Sequence, residues 1–165
     1  MQTPSSLQET NMEAITTQEK WMAVLFVGGT TVVVMIAAAL GFLYAPPNKN
    51  LQSTPGDSFF WMAWLIIIPT WAFASWLVWR KRKVADIRGA MIVFFWFLLS
   101  LIAFFPQTAA TQENVLTILV SDLQGIIESW MIMWLYSRYS KAARWWLIPL
   151  VVWFPITAII KLINL

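Results

Sequence analysis

Apolar residues along the chain fall into five long stretches separated by polar connections. The stretches cover residues 21–44, 58–79, 90–105, 115–136 and 142–165. A helix rises about 1.5 Å per residue, so about 20 apolar residues span the roughly 30 Å of bilayer hydrocarbon. The third stretch is the shortest and is expected to borrow a turn from residues 86–89. The pattern predicts an all-α polytopic membrane protein, a bundle of five transmembrane helices.

Two units are predicted along the chain: a polar segment of residues 1–20 and a membrane domain of residues 21–165. The first segment is acidic and has no positively charged leading region, so it is not expected to be a cleaved signal peptide. No internal repeat divides the membrane domain. Its longest connection, residues 45–57, is rich in proline, asparagine, glutamine and serine, and it is expected to lie over one mouth of the bundle.

Several helix starts carry residues that suit an N-terminal cap. Thr16 and Glu19 have the spacing of a capping box, which predicts that the first helix begins just before Trp21. Asp86 and Ser140 are predicted to accept backbone N–H bonds at the starts of the third and fifth helices.

Basic residues concentrate in two connections, residues 80–88 and residues 138–144. Five crossings put both connections on the same side as the amino terminus. The positive-inside rule then predicts a cytoplasmic amino terminus and a carboxyl terminus on the opposite side. The net charge of +3 follows from this topology, so the expected partner is the lipid bilayer and no nucleic acid is expected.

Composition narrows the chemistry. Hydrophobic residues make up 59% of the chain and charged residues 12%, against about 25% charged in soluble domains. The chain has no cysteine and no histidine, which excludes disulfides, thiolate nucleophiles, iron–sulfur clusters and histidine-ligated haem. No metal site is expected. No hydrolase triad or P-loop indicates a conventional enzyme, and whether the chain has catalytic turnover is left open.

The position of most of the 12 tryptophans has a simple explanation. Indole rings favour the headgroup region, where the ring is apolar and the N–H is hydrated. Those at helix ends are interpreted as belt residues: Trp21, Trp61, Trp79, Trp145 and Trp146. Trp64 lies more than a turn inside the second helix, and Trp71 and Trp153 fall near the middle of the membrane.

The deeper aromatic residues of the second helix share one face. Phe60, Trp64, Ile67, Trp71 and Ser75 follow a spacing of three or four residues. Such a wall can stack a planar ligand or pack against neighbouring helices, and the spacing is compatible with both.

The fourth helix carries polar residues in the middle of an apolar stretch. A carboxylate at the bilayer centre costs several kcal/mol unless it is protonated, paired or hydrated, so these residues are expected to face the bundle interior. Asp122 is predicted to lie within about a turn of Lys161 in height, where the two can form an ion pair. Glu128 has no basic residue at its depth, so Gln124 and Glu128 are predicted to contact a ligand, or Glu128 to take up and release a proton.

The order of these residues resembles the TspO/MBR family, the tryptophan-rich sensory proteins that include the mitochondrial translocator protein. The family is a five-helix bundle with a long loop after the first helix, followed by F-x-x-x-W and V-W-R/K in the second helix and P-Y-L-x-W in the fifth. The matching positions here are Tyr44, Lys49, Pro55, Phe60, Trp64, Val78, Trp79, Arg80, Pro149 and Trp153, with Phe104, Phe105, Asp122 and Ser140 as weaker matches. The resemblance covers residues 26–164.

The chain also departs from the family pattern. The loop motif K-P-x-W-x-P-P is reduced to Lys49 and Pro55, and the tyrosine of the fifth helix is Leu150. The asparagine and tryptophan of the third helix are replaced by Phe97 and Ser100. These changes indicate a divergent member whose ligand differs from that of its relatives.

The resemblance implies a receptor or carrier that binds porphyrin or a similar planar hydrophobic ligand in a pocket inside the bundle. Phe60, Trp64, Trp71, Gln124, Glu128 and Trp153 are the predicted contacts. The ligand class is a haem-type tetrapyrrole, and no cofactor is required. Because some bacterial members degrade protoporphyrin in light and oxygen, the resemblance also implies Trp64 and Trp153 as the catalytic pair.

Two other functional classes stay open. One is a small proton-linked transporter with Glu128 as the titrating group. The other is a non-catalytic regulatory membrane subunit. Ala37 and Gly41 form a small-xxx-small pair that can bring two helices together, so a homodimer is a further possibility.

Overall fold

The computed structural model describes residues 17–44, 56–110 and 115–163 of the 165 in the chain. Within these ranges it leaves undescribed the side chains of residues 42, 44, 56–61, 105–110, 115–118 and 161. The elements in the described ranges are all helical, which confirms the all-α class.

The helices follow the predicted apolar stretches closely. They are α1 (Thr17–Tyr44), α2 (Gly56–Trp79), α3 (Arg88–Ala110), α4 (Val115–Ser137), α5 (Lys141–Trp146) and α6 (Ile148–Ile163). A single 3₁₀ turn, Arg80–Lys83, continues α2. The connection over residues 45–55 lies outside the described residues, and so does the polar segment before Thr17.

The fifth apolar stretch is two helices rather than one. The break falls at Leu147. Its N–H donates to the Arg144 carbonyl in a tight turn, with a nitrogen–oxygen distance of 3.2 Å. Pro149 explains the break, since it has no N–H and its ring clashes with the carbonyl four residues earlier, that of Trp145. A proline is tolerated in the first turn of the new helix, so α6 begins at once.

The third helix is longer than its apolar stretch, residues 90–105. α3 begins at Arg88, within the turn that it was expected to borrow, and it continues through Pro106 to Ala110, for 23 residues in all. A proline inside a helix removes one hydrogen bond without preventing the helix from continuing beyond it.

The observed caps agree with two of the three predictions. The Asp86 carboxylate accepts the Arg88 N–H at 3.0 Å at the start of α3. Ser140 has an extended backbone, and its hydroxyl accepts the Ala143 N–H at 3.3 Å at the start of α5. The first helix begins at Thr17, the residue after the predicted cap, and Thr16 itself lies outside the described residues.

Three segments are long and apolar enough to cross a membrane: Thr17–Gly41, Met62–Lys83 and Lys141–Ile160. Arg88–Phe104 is apolar but shorter. Helices of this length and composition are compatible with an integral membrane protein.

α2 is the central helix, in contact with all five of the others. α1 packs against α2 and α3, and α4 packs against α3, α5 and α6. Within α1, Gly41 is buried and Ala37 half-buried inside a single chain, so the small-residue face already packs within the protomer. A homodimer through that face stays a prediction.

One end of the bundle gathers the basic connections. The Glu19 carboxylate lies 3.7 Å from the Arg80 guanidinium, which joins the start of α1 to the end of α2. The Tyr139 hydroxyl donates to the Asp86 carbonyl at 3.0 Å, which joins the α4–α5 connection to the α2–α3 connection. We call this the basic end. It lies on the same side as the start of α1, as five alternating helices require.

Candidate functional site

A cavity of about 280 Å³ lies between α2, α3, α4 and α6, in the half of the bundle away from the basic end. Its lining residues come from all four helices: Trp64, Trp96, Phe97, Leu99, Ser100, Leu101, Ala103, Phe104, Ser121, Gln124, Gly125, Glu128 and Phe154. Three of the predicted ligand contacts, Trp64, Gln124 and Glu128, are therefore brought to one cavity.

Aromatic rings form the inner wall of the cavity around Trp64. The ring centroid of Trp64 lies 6.4 Å from that of Phe104 and 6.0 Å from that of Phe154. Phe154 in turn meets Phe97 edge to face at 6.4 Å. The contacts of Phe154 with Trp64 and Phe97 are edge to face and that of Trp64 with Phe104 is tilted. Such contacts are favourable at these distances, so the wall is preformed.

Gly125 allows α6 to approach α4 at this wall. A Cβ atom at Gly125 would come within 2.2 to 2.7 Å of three ring atoms of Phe154, which is closer than carbon atoms can pack. Glycine is therefore required for the present position of the ring. Because Phe154 also lines the cavity, this contact sets the cavity's depth on the α6 side.

Glu128 is the polar centre of the cavity. Its Oε1 atom accepts hydrogen bonds from Trp96 Nε1 at 2.9 Å, from Ser100 Oγ at 3.2 Å and from Gln124 Nε2 at 2.9 Å. Trp96 and Ser100 lie one turn apart on α3, and Gln124 lies one turn before Glu128 on α4. The bonds from Trp96 and Ser100 join α3 to α4 through a single oxygen atom, and the bond from Gln124 lies within α4.

Trp153 supports the wall from behind. Its ring meets that of Trp64 edge to face, with centroids 6.3 Å apart, and both side chains are buried. It is not among the described residues that line the cavity. The two indoles predicted to act as a pair are therefore in contact, but only Trp64 faces the space available to a ligand.

Trp71, a predicted ligand contact, belongs to the packed core instead. Its ring stacks on Phe94 at 4.9 Å and meets Phe97 edge to face at 4.9 Å. It has no exposed surface and is not among the described residues that line the cavity. The spacing on α2 was correct, but at this level neighbouring rings fill the space. For Phe60, the side chain lies outside the described residues.

Asp122 is buried beside α6, away from the cavity lining. Its carboxylate accepts a hydrogen bond from the Thr157 hydroxyl at 3.3 Å. Thr157 lies one turn before Lys161, so Asp122 and Lys161 are close in height, as the lengths of the antiparallel helices predict. The side chain of Lys161 lies outside the described residues.

Trp96 was not predicted as a hydrogen-bond donor to Glu128. A tryptophan in an apolar helix is typical of the lipid-facing surface or the core, and Trp96 is indeed 61% exposed. Ser100 had been noted only as a departure from the family pattern. The signal that identifies both is their spacing of four residues on α3, opposite an acid on α4, and it requires knowledge of which helices are neighbours.

The described residues contain no group of three or more histidine, cysteine, aspartate or glutamate side chains that could hold a metal ion. A ligand at this site would therefore be held by the aromatic wall and by hydrogen bonds to the Glu128 cluster.

Comparison of the chain with protein-family models, with curated proteins and with solved structures finds no match.

Proposed function

We propose that this chain is an integral membrane protein that binds a flat hydrophobic ligand between α2, α3, α4 and α6. The observation that carries the proposal is a cavity with an aromatic inner wall around Trp64 and a single hydrogen-bonded carboxylate, Glu128. Ligand pockets combine apolar walls with a few convergent polar groups in this way. The TspO/MBR resemblance makes a porphyrin-type tetrapyrrole the first ligand to test.

The size of the cavity limits how such a ligand is held. At about 280 Å³ it lies at the lower end of the range of roughly 300–1,000 Å³ for small-molecule sites. A whole tetrapyrrole therefore requires α3 and α4 to separate, or it inserts one edge against Trp64. Smaller aromatic ligands fit without this movement.

The binding test is an absorbance titration of the purified protein in lipid nanodiscs with protoporphyrin IX. A saturable shift that is lost in the Trp64→Phe/Trp153→Phe variant supports the proposal. Trp145→Phe/Trp146→Phe is the matched control, because these two indoles are exposed and lie outside the cavity lining. A shift that does not saturate, or that is equal in both variants, contradicts the porphyrin proposal.

Breakdown of the porphyrin in light is a further step of the same proposal. An excited porphyrin stacked on Trp64 can exchange an electron or energy with the indole, and dissolved oxygen is the oxidant. The measurement is the rate at which the bound porphyrin's absorbance bleaches under illumination, with and without oxygen. Bleaching at the normal rate in Trp64→Phe/Trp153→Phe would exclude these indoles as participants.

A second candidate function is proton-linked transport through Glu128. It is favoured by the position of this carboxylate at a cavity inside the bundle, since acidic residues within membrane helices mark proton and substrate pathways. The test is pH-dependent flux of ligand into liposomes. Flux that persists in Glu128→Gln would remove this candidate.

The membrane arrangement that goes with both functions has five spans, with α5 and α6 together forming the fifth. The basic end faces the cytoplasm by the positive-inside rule. Because the chain has no native cysteine, single cysteines can be introduced and labelled from either side of the membrane. Lys83→Cys is expected to react from the cytoplasmic side and Ser53→Cys from the opposite side. The reverse pattern would overturn the orientation.

A further inference from the structure

We infer that the cavity takes its ligand sideways from the bilayer, between α3 and α4, and that this ligand carries an amine that binds the Glu128 carboxylate. The inference rests on the proposed binding function and specifies the ligand class, an aromatic amine dissolved in the membrane, together with its route into the site.

The route follows from how exposure changes across the cavity. On the inner side, Trp64, Phe97 and Leu101 are buried, with exposed fractions of 7%, 1% and 3%. On the outer side, Trp96 and Leu99 are exposed by 61% and 62%. These two residues lie on the apolar surface of α3, where lipid chains would contact a membrane-spanning helix. The mouth of the cavity therefore opens at the depth of the hydrocarbon and admits molecules that partition into it.

The amine follows from the hydrogen bonds of Glu128. All three protein donors converge on Oε1, and Oε2 accepts no hydrogen bond from the residues that the structure describes. No lysine or arginine is among the described lining residues. A carboxylate inside a membrane is stabilised by a cationic partner. A ligand ammonium at Oε2 supplies that partner through a charge-assisted hydrogen bond.

The rest of the lining suits the same ligand class. The indoles of Trp96 at the mouth and Trp64 on the inner wall line the cavity, and indole rings attract cations as well as aromatic rings. A carboxylate at the Glu128 end of the ligand would instead be repelled, so a porphyrin such as protoporphyrin IX binds here only with its two propionates directed away from Glu128. The site therefore selects for an aromatic body with a positive or N–H-donating end.

The test uses three pyrene compounds with the same aromatic body: 1-pyrenemethylamine, 1-methylpyrene and 1-pyrenecarboxylic acid. Binding is measured by pyrene fluorescence anisotropy with the full chain in phosphatidylcholine nanodiscs, and empty nanodiscs correct for partitioning. The uncharged bilayer prevents the amine from concentrating at the surface by charge alone. The amine is expected to bind about tenfold more tightly than 1-methylpyrene, as one charge-assisted hydrogen bond would give, and the acid more weakly than both.

The Glu128→Gln variant separates this inference from the proposed function. Its affinity for the amine is expected to fall to its own affinity for 1-methylpyrene, and a far-UV circular dichroism spectrum equal to that of the native protein shows that the variant is folded. Equal affinities of the native protein for the amine and for 1-methylpyrene would overturn the inference and leave the proposed function standing. Failure of all three compounds to bind saturably would overturn both.

The route has its own variant and control. Leu99→Trp is expected to fill the mouth of the cavity. The rate of association is expected to fall by tenfold or more for the amine and for 1-methylpyrene alike. Leu123→Trp is the matched control, since Leu123 on α4 is similarly exposed, at 57%, but is not among the lining residues. Association that is unchanged in Leu99→Trp would overturn the lateral route.

Discussion

Trp64 and Trp71 lie two turns apart on one face of α2, yet one lines a cavity and the other is sealed in the core. Phe94 and Phe97 of α3 fill the space around Trp71 with two ring contacts at 4.9 Å. The centroid of the Trp64 ring lies 6.0 to 6.4 Å from those of Phe104, Trp153 and Phe154. Two tryptophans on the same face of α2 therefore have different surroundings: Trp64 borders the cavity and Trp71 is packed in the core.

The difference arises from the neighbouring helices rather than from α2. At the level of Trp71, α3 contributes large aromatic side chains. At the level of Trp64, α3 contributes the small residue Ser100 as well as Phe104, and the space beside Gly125 of α4 is taken by the Phe154 ring. Closely packed interiors have few voids of this size, so the cavity among these residues supports the proposed binding site.

Truncation of the two indoles gives the largest expected effect and tests this comparison directly. Trp71→Ala is expected to destabilise the protein by about 3 kcal/mol, because a fully buried aromatic ring leaves a cavity that its neighbours cannot fill. Trp64→Ala is expected to cost clearly less, since the ring already borders open space. The measurement is reversible unfolding in mixed micelles with increasing dodecyl sulfate. We call the level of Trp71, where rings fill the space, the closed level, and the level of Trp64, which borders the cavity, the open level. Equal losses would contradict this distinction.

Filling the open level from α4 is the next largest effect. Gly125→Ala places a methyl group against the Phe154 ring and is expected to cost about 1–3 kcal/mol, the usual range for overpacking, and to weaken ligand binding as the ring shifts into the cavity. Gly28→Ala is the matched control, since a Cβ at Gly28 meets nothing within 4 Å. That change is expected to stabilise α1 by up to about 1 kcal/mol through helix propensity.

These two levels also show how much of the structure can be predicted from the sequence. The apolar stretches predict the helices because each is long and uninterrupted. The polar residues in the middle of α4 predict Gln124 and Glu128 as site residues, and the structure places both in the cavity lining. The break at Leu147 could have been predicted from Pro149, whereas the continuation of α3 past Pro106 could not, because a proline only sometimes ends a helix. Trp71 is buried in the core because Phe94 and Phe97 of α3 face it. Periodicity along one helix does not specify which residues of another helix lie opposite.

The closed level also contains a polar contact of smaller expected effect. The Ser75 and Tyr136 hydroxyls lie 3.0 Å apart in the buried interface between α2 and α4, and Ser75 also donates to the Trp71 carbonyl at 2.9 Å. Ser75→Ala and Tyr136→Phe are each expected to cost about 1 kcal/mol. The double variant is expected to cost less than the sum of the two, because both changes remove the same bond. Strictly additive losses would show that the two hydroxyls are not coupled.

The smallest expected effect concerns the Glu128 cluster at the open level. Ser100→Ala removes the longest of the three hydrogen bonds to Oε1, at 3.2 Å, and leaves those from Trp96 and Gln124 in place. Hydrogen bonds between membrane helices contribute about 0.6 kcal/mol on average, so a change of that order in stability is expected.

Gln124→Leu removes a shorter bond and should weaken amine binding more than Ser100→Ala does. The reverse order would mean that α3, rather than the turn of α4 before Glu128, sets the position of the carboxylate. The open level would then depend on the α3–α4 contact, and ligands that separate these helices would also displace their own binding group.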